Sequence, residues 1–109
     1  MSKVKPTRFY SNRQEKAVAK ALNGRTVANS GACDFVAGDV TTDNWLIECK
    51  TATSEKKSFS IKQDWLKKNK EEAFAMGKEY NALVFDFGDK GQRYYIIDEQ
   101  TFKELKGEG

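Results

Sequence analysis

The chain has no histidine, one proline and two cysteines among 109 residues. It contains no apolar run long enough to cross a bilayer. Each scarcity removes a class of function. Without histidine there is no Ser-His-Asp or Cys-His nucleophile, no imidazole base and no histidine-bound zinc. Hydrolysis by this chain would have to use carboxylates, lysine and a hard metal ion. Cys33 and Cys49 form neither a CxxC pair nor a zinc-like cluster, so they read as reduced structural thiols. The first residues, Met1-Ser2-Lys3-Val4-Lys5-Pro6, lack the apolar stretch of a secretion signal, and a cytoplasmic location is the expectation.

What the chain does have is charge, at 32% of residues, with 39% hydrophobic residues to build one core. A single domain over 1–109 is expected, with 1–10 as a basic arm. The net charge of +3 conceals alternating blocks. Residues 1–25 carry seven bases and one acid, and 26–49 carry four acids and no base. Residues 50–70 carry seven lysines and two acids, and 71–109 carry five bases and nine acids. Two basic blocks around an acidic one suit a phosphate-binding surface with a metal pocket at its centre. Lysines that merely solvate two amphipathic helices would give the same count.

Periodicity predicts a helix from Ser11 to about Leu22. Ser11 and Gln14 fit a capping box, Val18, Ala21 and Leu22 form an apolar stripe, and Gly24 supplies the stop. Glu15 falls on that stripe, either buried or at its edge with its head in solvent. Strands are expected at Thr26–Ala28, Ala32–Ala37 and Trp45–Thr51, the last two as a hairpin, and a short one at Ser58–Ile61. A helix over Lys62–Met76, capped by Ser60 and Gln63, places Trp65, Leu66, Asn69, Ala73 and Met76 along one side. Strands at Ala82–Phe87 and Arg93–Ile97, joined by a turn at Gly88–Gly91, and a helix over Asp98–Leu105 complete an α/β chain with a mixed sheet and flanking helices.

Strand alternation puts Glu48 and Lys50 on one face and Cys49 on the other. If the Ala32–Ala37 strand pairs in register, Asp34 shares the face of Glu48 and Lys50. Charges converging on an apolar sheet either neutralise one another or hold an ion. Two adjacent carboxylates raise each other's pKa, and Mg²⁺ relieves that repulsion. Lys50 would then position or deprotonate the attacking water, and the Cys49 backbone carbonyl would complete the metal shell. A cross-strand salt bridge of Lys50 with Asp34 or Glu48 is the alternative. Asp39 and Asp43 read as loop aspartates, Asp64 as a helix first-turn acid, and Asp86 as a strand acid with no nameable partner.

The set Glu15, then Gly31-Ala32-Cys33-Asp34-Phe35-Val36-Ala37-Gly38, then Leu46-Ile47-Glu48-Cys49-Lys50 resembles the PD-(D/E)XK nuclease superfamily. Within it the chain is similar to archaeal-type Holliday-junction resolvases, through Gly24-Arg25, the Ser30-Gly31 turn, the lysine-rich segment and the later helix and strands. Cys33 stands where the motif's name has proline. The resemblance spans about residues 11–98. It implies a restriction-endonuclease-like fold and a Mg²⁺-dependent endodeoxyribonuclease, with Mn²⁺ able to substitute. Asp34, Glu48 and Glu15 would hold metal and Lys50 would assist catalysis. Ser30, Arg13, Arg25, Lys56, Lys57 and Lys62 would contact DNA. The implied partner is a four-way junction, nicked on two strands by a homodimer with no membrane association. Another nicking, repair or restriction-type nuclease, or a non-catalytic nucleic-acid-binding module, would carry much of the same pattern.

Overall fold

The computed structural model describes residues 7–27, 39–52, 55–88 and 92–107, with the backbone alone for 7–12. The elements run α1 (Thr7–Leu22), β1 (Arg25–Val27), β2 (Asp39–Thr41), β3 (Trp45–Lys50), α2 (Gln63–Ala75), β4 (Tyr80–Asp86), β5 (Arg93–Ile96) and α3 (Glu99–Lys106). The five strands form one mixed sheet in chain order, antiparallel except for the central β3–β4 pair. This is a mixed α/β fold with three flanking helices among the described residues.

Parallel neighbours cannot be joined by a tight turn, so the chain between β3 and β4 crosses over through α2. Register then divides the sheet into two faces. Val40, Ile47, Cys49, Ala82 and Val84 cluster with Val18 of α1 in a buried apolar core. Glu48 and Lys50 alternate with that set and point to the opposite face. α2 covers that second face. Its buried Asn69 donates to the Leu46 carbonyl (3.5 Å) and accepts from Asn81 Nδ2 (2.8 Å), so a polar side chain under the helix is matched from both sides.

Several expectations shift. α1 begins at Thr7, inside the expected basic arm, because nothing from Thr7 to Tyr10 interrupts a helix. Ser11 is therefore interior, and Gln14 caps nothing. Val18 is buried as the stripe requires, whereas Ala21 is exposed. The helix ends in a Schellman arrangement with Asn23, not Gly24, in the left-handed conformation (φ 60°). Asn23 N–H donates to the Lys20 carbonyl at 3.4 Å, and Gly24 N–H to the Ala19 carbonyl at 2.8 Å. Residues 58–61 form no strand, and α2 starts after Lys62 without a side-chain cap, so the Ser60–Gln63 box is absent. On α2, Asn69 and Ala73 are buried, while Leu66 and Met76 remain exposed. α3 starts one residue after the expected Asp98, which serves as its N-cap. The Asp98 carboxylate accepts from Thr101 N–H at 2.8 Å, and that bond holds its pKa below the usual carboxylate range.

Gly24 is needed for space. A Cβ there would lie 2.6 Å from the Thr41 carbonyl oxygen, a backbone atom that cannot swing away. Gly24→Ala should therefore destabilise the protein by about 1–3 kcal/mol, whereas Asn23→Gly should be neutral or slightly stabilising. Urea denaturation of both variants checks this. Equal stability of Gly24→Ala and the parent would show that β2 yields at this point.

Candidate metal and nuclease site

The expected strand Ala32–Ala37, with Ser30, Cys33 and Asp34, lies outside the described residues. The position across from Glu48 is occupied by another acid. β2 pairs with β3 so that Asp39 stands opposite Glu48, followed by Val40 opposite Ile47 and Thr41 opposite Leu46. Directly paired residues present side chains on the same face. Asp39, read from sequence as a loop residue, is thus a strand residue facing Glu48. The missed signal was alternation: Asp39-Val40-Thr41 repeats the polar–apolar pattern of a half-buried strand, behind a glycine that also suits a turn.

Around this pair the structure gathers more charge. Glu48 is 4% exposed, and its Oε2 lies 2.9 Å from Lys50 Nζ. Lys50 sits two residues along the same strand, with its ammonium 4.4 Å from the centre of the Trp65 ring of α2. Glu15 of α1 is 7% exposed, and its buried Oε2 has no hydrogen-bond partner. Burial raises its pKa. Asp39 is pushed up to about 7, first by burial, then by the negative charges of Glu48, Glu72 and Glu15, with Lys50 only partly offsetting them. Cys49, on the opposite face, is buried and its thiol is also pushed up by burial.

Gln14 adds a contact that sequence reasoning assigned elsewhere. At 5% exposure, its Nε2 donates to the Lys50 carbonyl and to Asp86 Oδ2, both at 2.8 Å. Asp86 Oδ1 in turn accepts from Gly88 N–H at 2.9 Å. α1 is thereby tied to the ends of both parallel strands, and the charge of Glu15, the next residue, acts on Asp39 and on Cys49. Asp86 thus has the partner its sequence context did not reveal. No spacing rule links residues 14 and 86, because the contact is tertiary.

The donor set suits a hard divalent cation. Asp39 and Glu48 offer carboxylate oxygens, Glu15 has an oxygen with no partner, and the negative charge in the cluster exceeds what Lys50 balances. Among the described residues no three acidic or cysteine side chains form a ligand set by themselves. Mg²⁺ commonly takes one or two carboxylates and fills its octahedron with water and substrate phosphate. The basic residues expected to touch DNA are on the surface. Arg13 is exposed on α1, Arg25 at the start of β1, and Lys56, Lys57 and Lys62 on the connector from β3 to α2. No helix among the described residues is long and apolar enough to cross a membrane. No family model, curated protein or solved structure matches the chain.

The Asp39 shift makes a prediction. The unfolded chain releases this proton near its ordinary value of 3.8, and the folded chain near 7. Between those values the folded state holds more protons, so its stability falls as pH rises through the window and levels off above it. In metal-free buffer, Asp39→Asn should flatten that decline and raise stability at pH 8 by about 1–2 kcal/mol, the full shift being discounted for partial exposure. Thermal unfolding from pH 5 to 8 measures both effects. A less stable Asp39→Asn protein at pH 8 would show that this carboxylate is not held under strain.

Proposed function

We propose that the protein is a divalent-metal-dependent DNA endonuclease with a restriction-endonuclease-like fold. The observation that carries this reading is the pairing of Asp39 with Glu48 across β2 and β3, with Lys50 two residues on. It reproduces the Asp, Glu-x-Lys arrangement of the resemblance with Asp39 in place of Asp34. Under the same reading the DNA is branched, a four-way junction in the first instance, and the working unit is a homodimer.

Asp39 and Glu48 would hold Mg²⁺ or Mn²⁺, with the Cys49 carbonyl and Glu15 as further oxygen donors. The bound ion would polarise a phosphodiester and acidify water. Lys50, already oriented by Glu48 and the Trp65 ring, carries a charge that can stabilise the phosphorane as it forms or position the attacking water. Gln14 holds the backbone of Lys50 at the strand end and so limits its wander. The exposed lysines after β3 supply phosphate contacts independent of base sequence.

A second reading has one specific observation in its favour. The Glu48–Lys50 ion pair at 2.9 Å is the contact expected if these charges are structural and the protein only binds nucleic acid. Calorimetric titration with Mn²⁺ separates the two. Site-specific binding lost in Asp39→Ala and Glu48→Ala supports the nuclease, and the absence of such binding supports the binding module.

The direct test is cleavage of a synthetic four-way junction and of linear duplex in Mg²⁺. Asp39→Ala, Glu48→Ala and Lys50→Ala should each lower the rate by about 100-fold or more, with Asp34→Ala, the carboxylate expected from the resemblance, measured beside them. A dead Asp34→Ala beside an active Asp39→Ala would reverse the carboxylate assignment. Equal cutting of duplex and junction would remove the branch preference and leave the nuclease standing.

A further inference from the structure

Immediately after Lys50 the connector folds over a groove of about 400 Å³ lined by Thr51, Ala52, Lys56, Ser58, Phe59 and Ser60. The groove is anchored, because Lys56 N–H donates to the Phe87 carbonyl at 2.8 Å and ties the connector to the chain just beyond β4. Among the described residues its polar lining is three hydroxyls and one ammonium, with no carboxylate. Phe59 begins an aromatic stack. Its ring lies 5.0 Å from Phe85, and Phe85 lies 5.6 Å from Tyr94, both pairs near parallel, while Phe87 meets Phe85 and Tyr94 edge-on. Register pairs Phe85 with Lys50 and with Tyr94, so this stack stands on the same sheet face as Glu48 and Lys50. Tyr94 is 44% exposed, and the neighbouring Lys57 and Lys62 are exposed as well.

We infer that this groove seats one unpaired nucleotide of the DNA strand next to the cleaved phosphate, with its base stacked on Phe59 and its phosphate held by Lys56 and the serine hydroxyls. This rests on the nuclease reading above and narrows its substrate. Hydroxyls and a lysine match phosphate oxygens, and an aromatic ring matches the face of any base. A continuous duplex offers the first but hides the second inside its stack. Only a strand with an unstacked base can use both, as at a branch point, a flap or a single-stranded end. A groove of this size, at the small end of ligand sites, holds a nucleotide and not a duplex segment. The charge is complementary, since residues 50–70 carry seven lysines and two acids.

The test uses the full chain with Ca²⁺ in place of Mg²⁺, which allows binding without cutting. Fluorescence anisotropy would compare a labelled single-stranded twelve-mer with a perfect hairpin duplex. The parent should prefer the single strand at matched salt. Phe59→Ala should weaken single-strand binding by about tenfold and barely alter duplex binding, while Phe59→Trp should restore it. Lys56→Gln should weaken both probes and reduce the salt dependence by about one counterion. Circular dichroism checks folding. Should Phe59→Ala fail to fold, Phe59→Trp and the exposed Ser58→Ala carry the comparison, with Ser58→Ala expected to lose single-strand affinity. Parent protein that prefers perfect duplex, or a folded Phe59→Ala that binds the single strand unchanged, would overturn the inference. Failure of the nuclease reading looks different: no substrate is cut in Mg²⁺, while Phe59-dependent binding persists.

Discussion

The parallel pairing of β3 with β4 is the constraint from which the rest of the architecture follows. A parallel pair demands a crossover, and α2 supplies it across one face of the sheet. α1 is left to cover the other face, where Val18 packs into the core cluster. Because the register is set along six residue pairs, Ile47 and Cys49 are committed to the α1 side and Glu48 and Lys50 to the α2 side. A slip of one residue would bury the two charges in the apolar core, at a cost no local contact could offset. The Gln14 bridge to Lys50 and Asp86 works at the same place, since it joins α1 to the ends of both parallel strands.

The site is built against folding stability. Asp39, Glu48 and Glu15 bring negative charge together where water is partly excluded, and Lys50 balances only part of it. A chain selected for stability alone would place apolar residues on these strands. The raised Asp39 pKa records that cost, since burial and the charges of Glu48, Glu72 and Glu15 all oppose its ionisation. The aromatic stack follows on the same face. One face of the sheet thus carries Asp39, Glu48, Lys50 and the stacked rings, with the groove beside them.

Much of the fold was legible because its elements announce themselves locally. The alternation at Trp45–Lys50 gave the faces of Glu48, Cys49 and Lys50, and the helix expected over Asp98–Leu105 is α3, shifted by one residue. Local rules failed where two signals competed. Ser11 and Gln14 have the form of a cap, yet nothing before them breaks the helix, and Gln14 is drawn into a tertiary bridge. Gly38-Asp39 reads as a turn, yet Asp39 begins a strand because the edge of β3 offers it a partner. Ser58–Ile61 alternates like a strand, but Phe59 stacks on Phe85 from the side of the sheet face instead.

By itself the sequence determined the chemistry open to this protein: carboxylates and lysine without histidine, arranged as an acid before Glu-x-Lys, within a lysine-rich surface. Composition and two-residue periodicity are local properties, and they suffice for that. Which aspartate faces Glu48 was decided only in the tertiary structure, because pairing register depends on how β2 and β3 meet and not on either strand alone. The same holds for Gln14 between Lys50 and Asp86, and for Phe59 on Phe85. Each joins residues far apart in the chain, and only the packed sheet and helices bring them within reach.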